Sequence, residues 1–206
     1  HHESEPLQRV APDQVRQPEV SRVVSALCWA VLAFLLLLPV LSGLWTVFAA
    51  GAFLVEFLSE GRLPLLSGLT PAPAVRPLAA PGEPVADLYL PVAVWPSRNL
   101  VLVHGLAPAG KNDPRLQEAA RLLARTGARV LVPTVPGLTR LRLRPDDVET
   151  VVQAIEAARP WGSVQVLGIS VGAGPAVLAA ADPRVAAGVG VVLSVGGYAS
   201  TVELLR

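Results

Sequence analysis

The chain has 206 residues, 52% of them hydrophobic and 16% charged, with a formal net charge of +1. That near-neutral balance excludes a nucleic-acid partner or a strongly acidic ligand held by bulk charge. Cys28 is the one cysteine, so no intrachain disulfide can form. Three histidines and one cysteine at these spacings make no ligand cluster, so neither a metal nor a cofactor is expected. Lys111 is the only lysine, an arginine bias that fits a GC-rich bacterial genome.

Residues 1–22 are polar and mixed in charge, with Pro6, Pro12 and Pro18 spaced through them. They show no apolar periodicity and are expected to form a disordered lead-in. From Val23 to Val55 there is no charged residue. A spanning helix needs about 20 apolar residues, whereas the core of a signal peptide runs to about 15. One transmembrane helix over 23–55 is therefore expected, with the lipid bilayer as its partner and a kink or stop near Pro39. Two spans would need about 40 residues or more. The rival reading of this run is a buried helical hairpin of a soluble protein. Arg9, Arg16 and Arg22 precede the run and Arg62 and Arg76 follow it, which leans toward a cytoplasmic N-terminus in a bacterial cytoplasmic membrane.

Residues 56–84 include Pro64, Pro71, Pro73, Pro77, Pro81 and Pro84, a composition that predicts an extended, semi-rigid spacer. From 85 to 206 the pattern changes to strands alternating with helices, the mark of an α/β fold with a mostly parallel sheet flanked by helices. Asp87 to Val94 reads as a first strand or hairpin. Leu100 to Val103 is a short apolar run suited to a strand buried on both faces. A helix follows, with Asp113 as N-cap, Pro114 at its first position, and Leu116, Ala119, Ala120 and Leu123 on its apolar face. Gly127 closes it. Arg129 to Val132 is the next strand. Pro145 opens a second helix with Val148, Val151, Val152 and Ile155 inward. Val164 to Leu167 is a third strand, passing directly into a helix that runs through Ala181, and Val189 to Leu193 is a fourth.

Gly168-Ile169-Ser170-Val171-Gly172 lies between a buried strand and a helix. A nucleophilic serine needs its hydroxyl lifted clear of the sheet on a sharp, strained turn, and glycine two residues to either side relieves the crowding. The helix start also aims free N–H groups at the place where an oxyanion would develop. Without catalysis, the same pattern is a close-packed strand–helix turn. The second element is Val103-His104-Gly105-Leu106, at the end of an earlier strand. Leu106 and Val171 are the expected backbone oxyanion donors. His104 is read as a loop-shaping residue, because the base in such a site usually comes from later in the chain. Lys111 and Asp113 could touch a ligand here, although capping and loop solvation account for both.

With these features in place, the stretch from about Val85 to Ser200 resembles the α/β-hydrolase family in its dienelactone-hydrolase-like or esterase-like branches. The resemblance rests on the His104-Gly105 loop, Leu131-Val132-Pro133, the Pro136-Gly137 turn and the Gly168–Gly172 elbow, in that order. It implies a Ser–acid–His triad acting on a small ester or related acyl substrate, with Ser170 as the catalytic nucleophile. The chain departs from the pattern after the elbow: no histidine lies beyond His104, and Glu203 is the only acid beyond Asp182. Asp146, Asp147 and Asp182 sit where helix capping explains them, and Pro175 is expected to kink the elbow helix. The expectation is a membrane-anchored serine hydrolase seen as a fragment, its acid and histidine lying past Arg206. The alternative is a non-catalytic membrane protein that kept the sheet and lost the triad. A nucleotide-binding domain is excluded, because neither glycine fingerprint for phosphate is present.

Overall fold

In the computed structural model, which describes residues 18–78, 85–92 and 98–197, the first helix, α1, covers Pro18–Leu58. The polar lead-in expected at the N-terminus falls almost wholly outside the described residues. Arg22–Leu58 is long and apolar enough to cross a membrane. Every described side chain from 22 to 48 is exposed, and a helix apolar on all sides has no single face to bury in a soluble core. Pro39 does not stop the helix: Ser42 Oγ donates to the Pro39 carbonyl at 2.9 Å, and the helix runs on to Leu58.

Two compact units divide the chain, residues 1–46 and 47–206. In the first, the described stretch from Arg22 to Thr46 holds about 25 residues, and at ~1.5 Å per residue that is enough for one crossing of a ~30 Å hydrocarbon core.

The second unit begins with the last turns of α1. Ala49 and Ala52 are buried there with Leu66 and Leu122. Glu56, 2% exposed, accepts hydrogen bonds from Leu66 N at 2.6 Å and Ser67 N at 3.1 Å. Its carboxylate thus satisfies N–H groups at the start of a short helix, α2 (Leu65–Leu69), which have no partner within the helix. The described part of segment 56–84, residues 56–78, is therefore not the extended spacer that its prolines predict. It carries α2 and then a strand, β1 (Ala74–Leu78), antiparallel to β2 (Ala86–Leu90). Pro77 is tolerated because β1 is an edge strand, where a missing N–H costs no ladder bond. The expected first strand ends at Leu90, and Val94 lies outside the described residues.

The remaining elements follow the expected alternation. They are β3 (Arg98–Val103), α3 (Pro114–Arg125), β4 (Ala128–Pro133), α4 (Pro136–Thr139), α5 (Asp147–Ala158), β5 (Val164–Ile169), α6 (Ala173–Ala180) and β6 (Val189–Val195). The sheet order is β1-β2-β4-β3-β5-β6; β3 to β6 pair in parallel, and β2 is antiparallel to β4. Side chains alternate across the sheet, as period two requires. Leu100 and Leu102 pack with Leu116, Ala120 and Ala124 of α3, whereas Val101 and Val103 pack with Val151, Val152 and Ile155 of α5. Leu122 of α3 is fully buried while Leu123 is only partly so. The expected single apolar stripe is thus incomplete, because α3 has a second covered face, against the end of α1.

Asp147, 1% exposed, is the first residue of α5, and its carboxylate accepts from Gly137 N and Arg144 N, each at 2.7 Å. It ties the α4 loop to α5 rather than capping its own helix; Asp146 pairs with Arg144 instead. Asp182 does act locally, accepting from Arg184 N and the Arg184 guanidinium. Pro175 falls in the first turn of α6, where a backbone N–H has no α6 partner to lose. Asp147→Ala would leave one buried N–H, that of Gly137, and one partly buried, that of Arg144, unpaired and should cost about 2 kcal/mol. The drop should be measurable as a lower midpoint in denaturant unfolding followed by circular dichroism.

Candidate functional site

The two loops singled out from the sequence meet at one end of the sheet. From β3 the chain passes through α3 to β4 on one side, then returns through α5 to β5 on the other side of β3. The direction of winding therefore reverses at β3, and a crevice opens beyond the carboxyl ends of β3 and β5, where open α/β sheets place their ligands. His104-Gly105 leaves β3 at that point, and Ser170 leaves β5.

Ser170 has φ +51°. A left-handed backbone costs a residue with a Cβ about 1–2 kcal/mol, and such strain gathers at functional positions where the surroundings enforce it. Ser170 opens a single 3-10 turn, Ser170–Gly172, that leads into α6. The glycines beside it are sterically required. A Cβ on Gly168 would lie 2.5 Å from Ala173 Cα and 2.9 Å from Ala176 Cβ. A Cβ on Gly172 would collide with the His104 carbonyl oxygen, and one on Gly105 would lie 3.2 Å from Ser170 Cβ. Gly105, Gly168 and Gly172 are thus the residues that let the turn form and the two loops touch.

His104, 1% exposed, is fully engaged. Val135 N donates to its Nε2 at 3.0 Å, so the ring proton sits on Nδ1 and is donated to the Gly105 carbonyl at 2.7 Å. Burial pushes its pKa below the usual histidine range, only partly opposed by the Gly105 hydrogen bond and the nearby Asp113 and Asp147. A neutral imidazole with both nitrogens committed shapes the loop and is not placed to take a proton from Ser170. Lys111 pairs with Asp87 of β2 at 2.8 Å, pinning the loop after β3 to the sheet, and Asp113 caps α3 by accepting from Arg115 N and Leu116 N, each at 3.0 Å.

A cleft of about 370 Å³ lies over the serine, lined by Ser170, Ile169, His104, Gly105, Leu106 and Ala107 together with Phe57, Asp113, Arg115, Leu116 and Ala119. Its size is at the low end for a small-molecule site, and its lining is mostly apolar, as such sites require. Leu106 therefore lines the same cleft as Ser170. Val171 follows the serine at the start of the 3-10 turn, where the first N–H groups have no partner inside the turn. Sequence reasoning missed Phe57 and Arg115. Phe57 falls just past the apolar run, at the start of the segment that reads as a spacer, and Arg115 reads as a solvated helix residue. Among the described residues no group of three His, Cys, Asp or Glu is close enough to hold a metal ion.

No family model and no curated protein matches this chain. Among solved structures, the fold is similar to that of a protein assigned as a thioesterase from Silicibacter sp. tm1040, with a TM-score of 0.50 and 22% identity. That match covers 69% of this chain and 56% of the other. A dienelactone hydrolase-like promiscuous phosphotriesterase from metagenomic libraries matches with a TM-score of 0.49 and 15% identity, over 61% of this chain and 60% of that one. The chain thus spans less than two thirds of the length of these structures. What is shared with the first of these is the fold, a mixed sheet flanked by helices.

The buried, neutral His104 makes a pH prediction. Its folded-state pKa is depressed, so the unfolded chain binds the extra proton first, and the stabilisation is complete above about pH 6.5 and lost as pH falls below it. The thermal unfolding midpoint should therefore fall between pH 7 and pH 5, before carboxylates begin to titrate. In His104→Gln that part of the profile should flatten.

Proposed function

We propose that this protein is a membrane-anchored serine hydrolase of the α/β-hydrolase type, acting on an ester or related acyl compound. The observation that carries the reading is the strained φ of Ser170, on a strand-to-helix turn pressed against the His104-Gly105 loop. Strain of that kind is costly unless the hydroxyl has to stand clear of the sheet. In the reaction, Ser170 Oγ attacks the acyl carbon while Leu106 N and Val171 N hold the developing oxyanion. The hydroxyl proton passes to a general base and from it to the departing alcohol or thiol as the old acyl bond breaks. Water then cleaves the acyl-serine, releasing the carboxylic acid and restoring the hydroxyl.

His104 is occupied, so the general base and its acid partner are assigned to residues other than His104. The membrane anchor is assigned to residues 23–55, whose apolar helix supports a single span.

The test is labelling of the complete protein with a fluorophosphonate, which bonds phosphorus to the serine oxygen as fluoride leaves. The unsubstituted protein should label and Ser170→Ala should not. Equal labelling of the two removes Ser170 from its role, and no labelling of either favours the non-catalytic alternative.

A further inference from the structure

The last turn of α1 is built into the candidate active site. Phe57 stacks on Phe53 with ring centroids 5.7 Å apart and the planes 5° from parallel. Both rings pack against the cluster of Ala49, Ala52, Leu66 and Leu122. One residue earlier, Glu56 holds the N-terminal turn of α2 through two backbone N–H groups. Arg125 of α3 bonds to the Thr70 carbonyl, so the segment from Phe53 to Thr70 is fastened to α3 at several points. Phe57 is therefore held in place, and it lines the same cleft as Ser170.

A second hollow of about 500 Å³ is lined by Phe57, Leu58, Glu60, Pro114, Arg115 and Glu118 together with Gly61. Phe57 and Arg115 line both spaces. Phe57 thus belongs to the partition between a small, mostly apolar cleft over the serine and a larger hollow. Arg115 completes the partition, its guanidinium 3.0 Å from Glu60 Oε1. That pair is largely exposed, with side chains 82% and 65% accessible, and exposed pairs hold weakly. The rigid part of the partition is Phe57.

We propose that Phe57 sets the length of the acyl chain this site accepts, and that the substrate class is an ester or thioester of a single unbranched acyl chain ending against that ring. The inference rests on Ser170 being the nucleophile. Leu106, Ala107, Leu116, Ala119 and Ile169 supply the apolar walls. Burying apolar chain against them is favourable in proportion to the area covered, until the chain meets Phe57. A polar acyl group would gain less from walls of this kind.

The experiment compares short-chain (ethyl) and long-chain (dodecyl) alkyl fluorophosphonates by their rates of labelling Ser170 in the complete, detergent-solubilised protein. Phe57→Ala joins the two hollows and should raise the long-to-short rate ratio at least tenfold. Phe57→Trp thickens the partition and should lower the ratio. Misfolding would depress both rates without moving the ratio in opposite directions in the two variants. Ratios within twofold of the unsubstituted protein for both variants overturn the proposal. If neither probe labels the unsubstituted protein, the nucleophile reading fails, and crosslinking with a diazirine-tailed fatty acid methyl ester decides the acyl site separately. Crosslinks confined to residues 53–61 and 104–119, and displaced by excess plain ester, uphold it; their absence overturns it.

Discussion

The contact between the His104-Gly105 loop and the Ser170 turn governs how this fold is assembled. Two backbone segments can approach this closely only where side chains are absent. A Cβ at Gly172 would occupy the position of the His104 carbonyl oxygen, and one at Gly168 would press into the first turn of α6. With both glycines in place, β5 ends abruptly, Ser170 is driven to φ +51°, and α6 starts immediately. The cost of about 1–2 kcal/mol for that backbone is small beside the burial that holds the strand and helix on either side. Val166, Ala176 and Ala179, all fully buried, anchor the turn from below.

Around that contact, polar groups are used to fasten loops. His104 accepts from Val135 N and donates to Gly105 O, linking the end of β3 to the loop after β4. Asp147 fastens the next loop to α5, and the Lys111–Asp87 pair fastens the loop after β3 to β2. Each group is buried or nearly so, and each would be expensive to bury without its partner. The crevice is thereby framed by rigid loops, which suits a site that must hold a reacting group in place. The end of α1 adds one more wall. The same helix that holds the long apolar run also contributes Phe57 to the cleft.

Much of this was legible in the residues alone. The apolar runs at Leu100–Val103 and Val164–Leu167 correspond to β3 and β5, because strands buried on both faces carry their signal locally. Asp113-Pro114 marks the start of α3, since a cap and a fixed φ act within a single turn. The Gly-x-Ser-x-Gly pattern coincides with the positive-φ turn at Ser170, because the steric demand of that turn reaches only two residues either way. What misled was proline content: Pro64 to Pro84 read as a spacer, yet β1 pairs along an edge where Pro77 loses nothing.

Sequence by itself therefore determined the local elements, the long apolar helix and the bend at Ser170, all of which depend on neighbours a few residues apart, whereas the commitment of His104 needs Val135, 31 residues away. Only the tertiary structure decided that β1 joins the sheet, that Leu122 rather than Leu123 is fully enclosed, and that Phe57 borders the serine cleft. Those outcomes depend on packing between segments distant along the chain. An apolar residue in a helix shows that it will be buried but carries no mark of what it will be buried against.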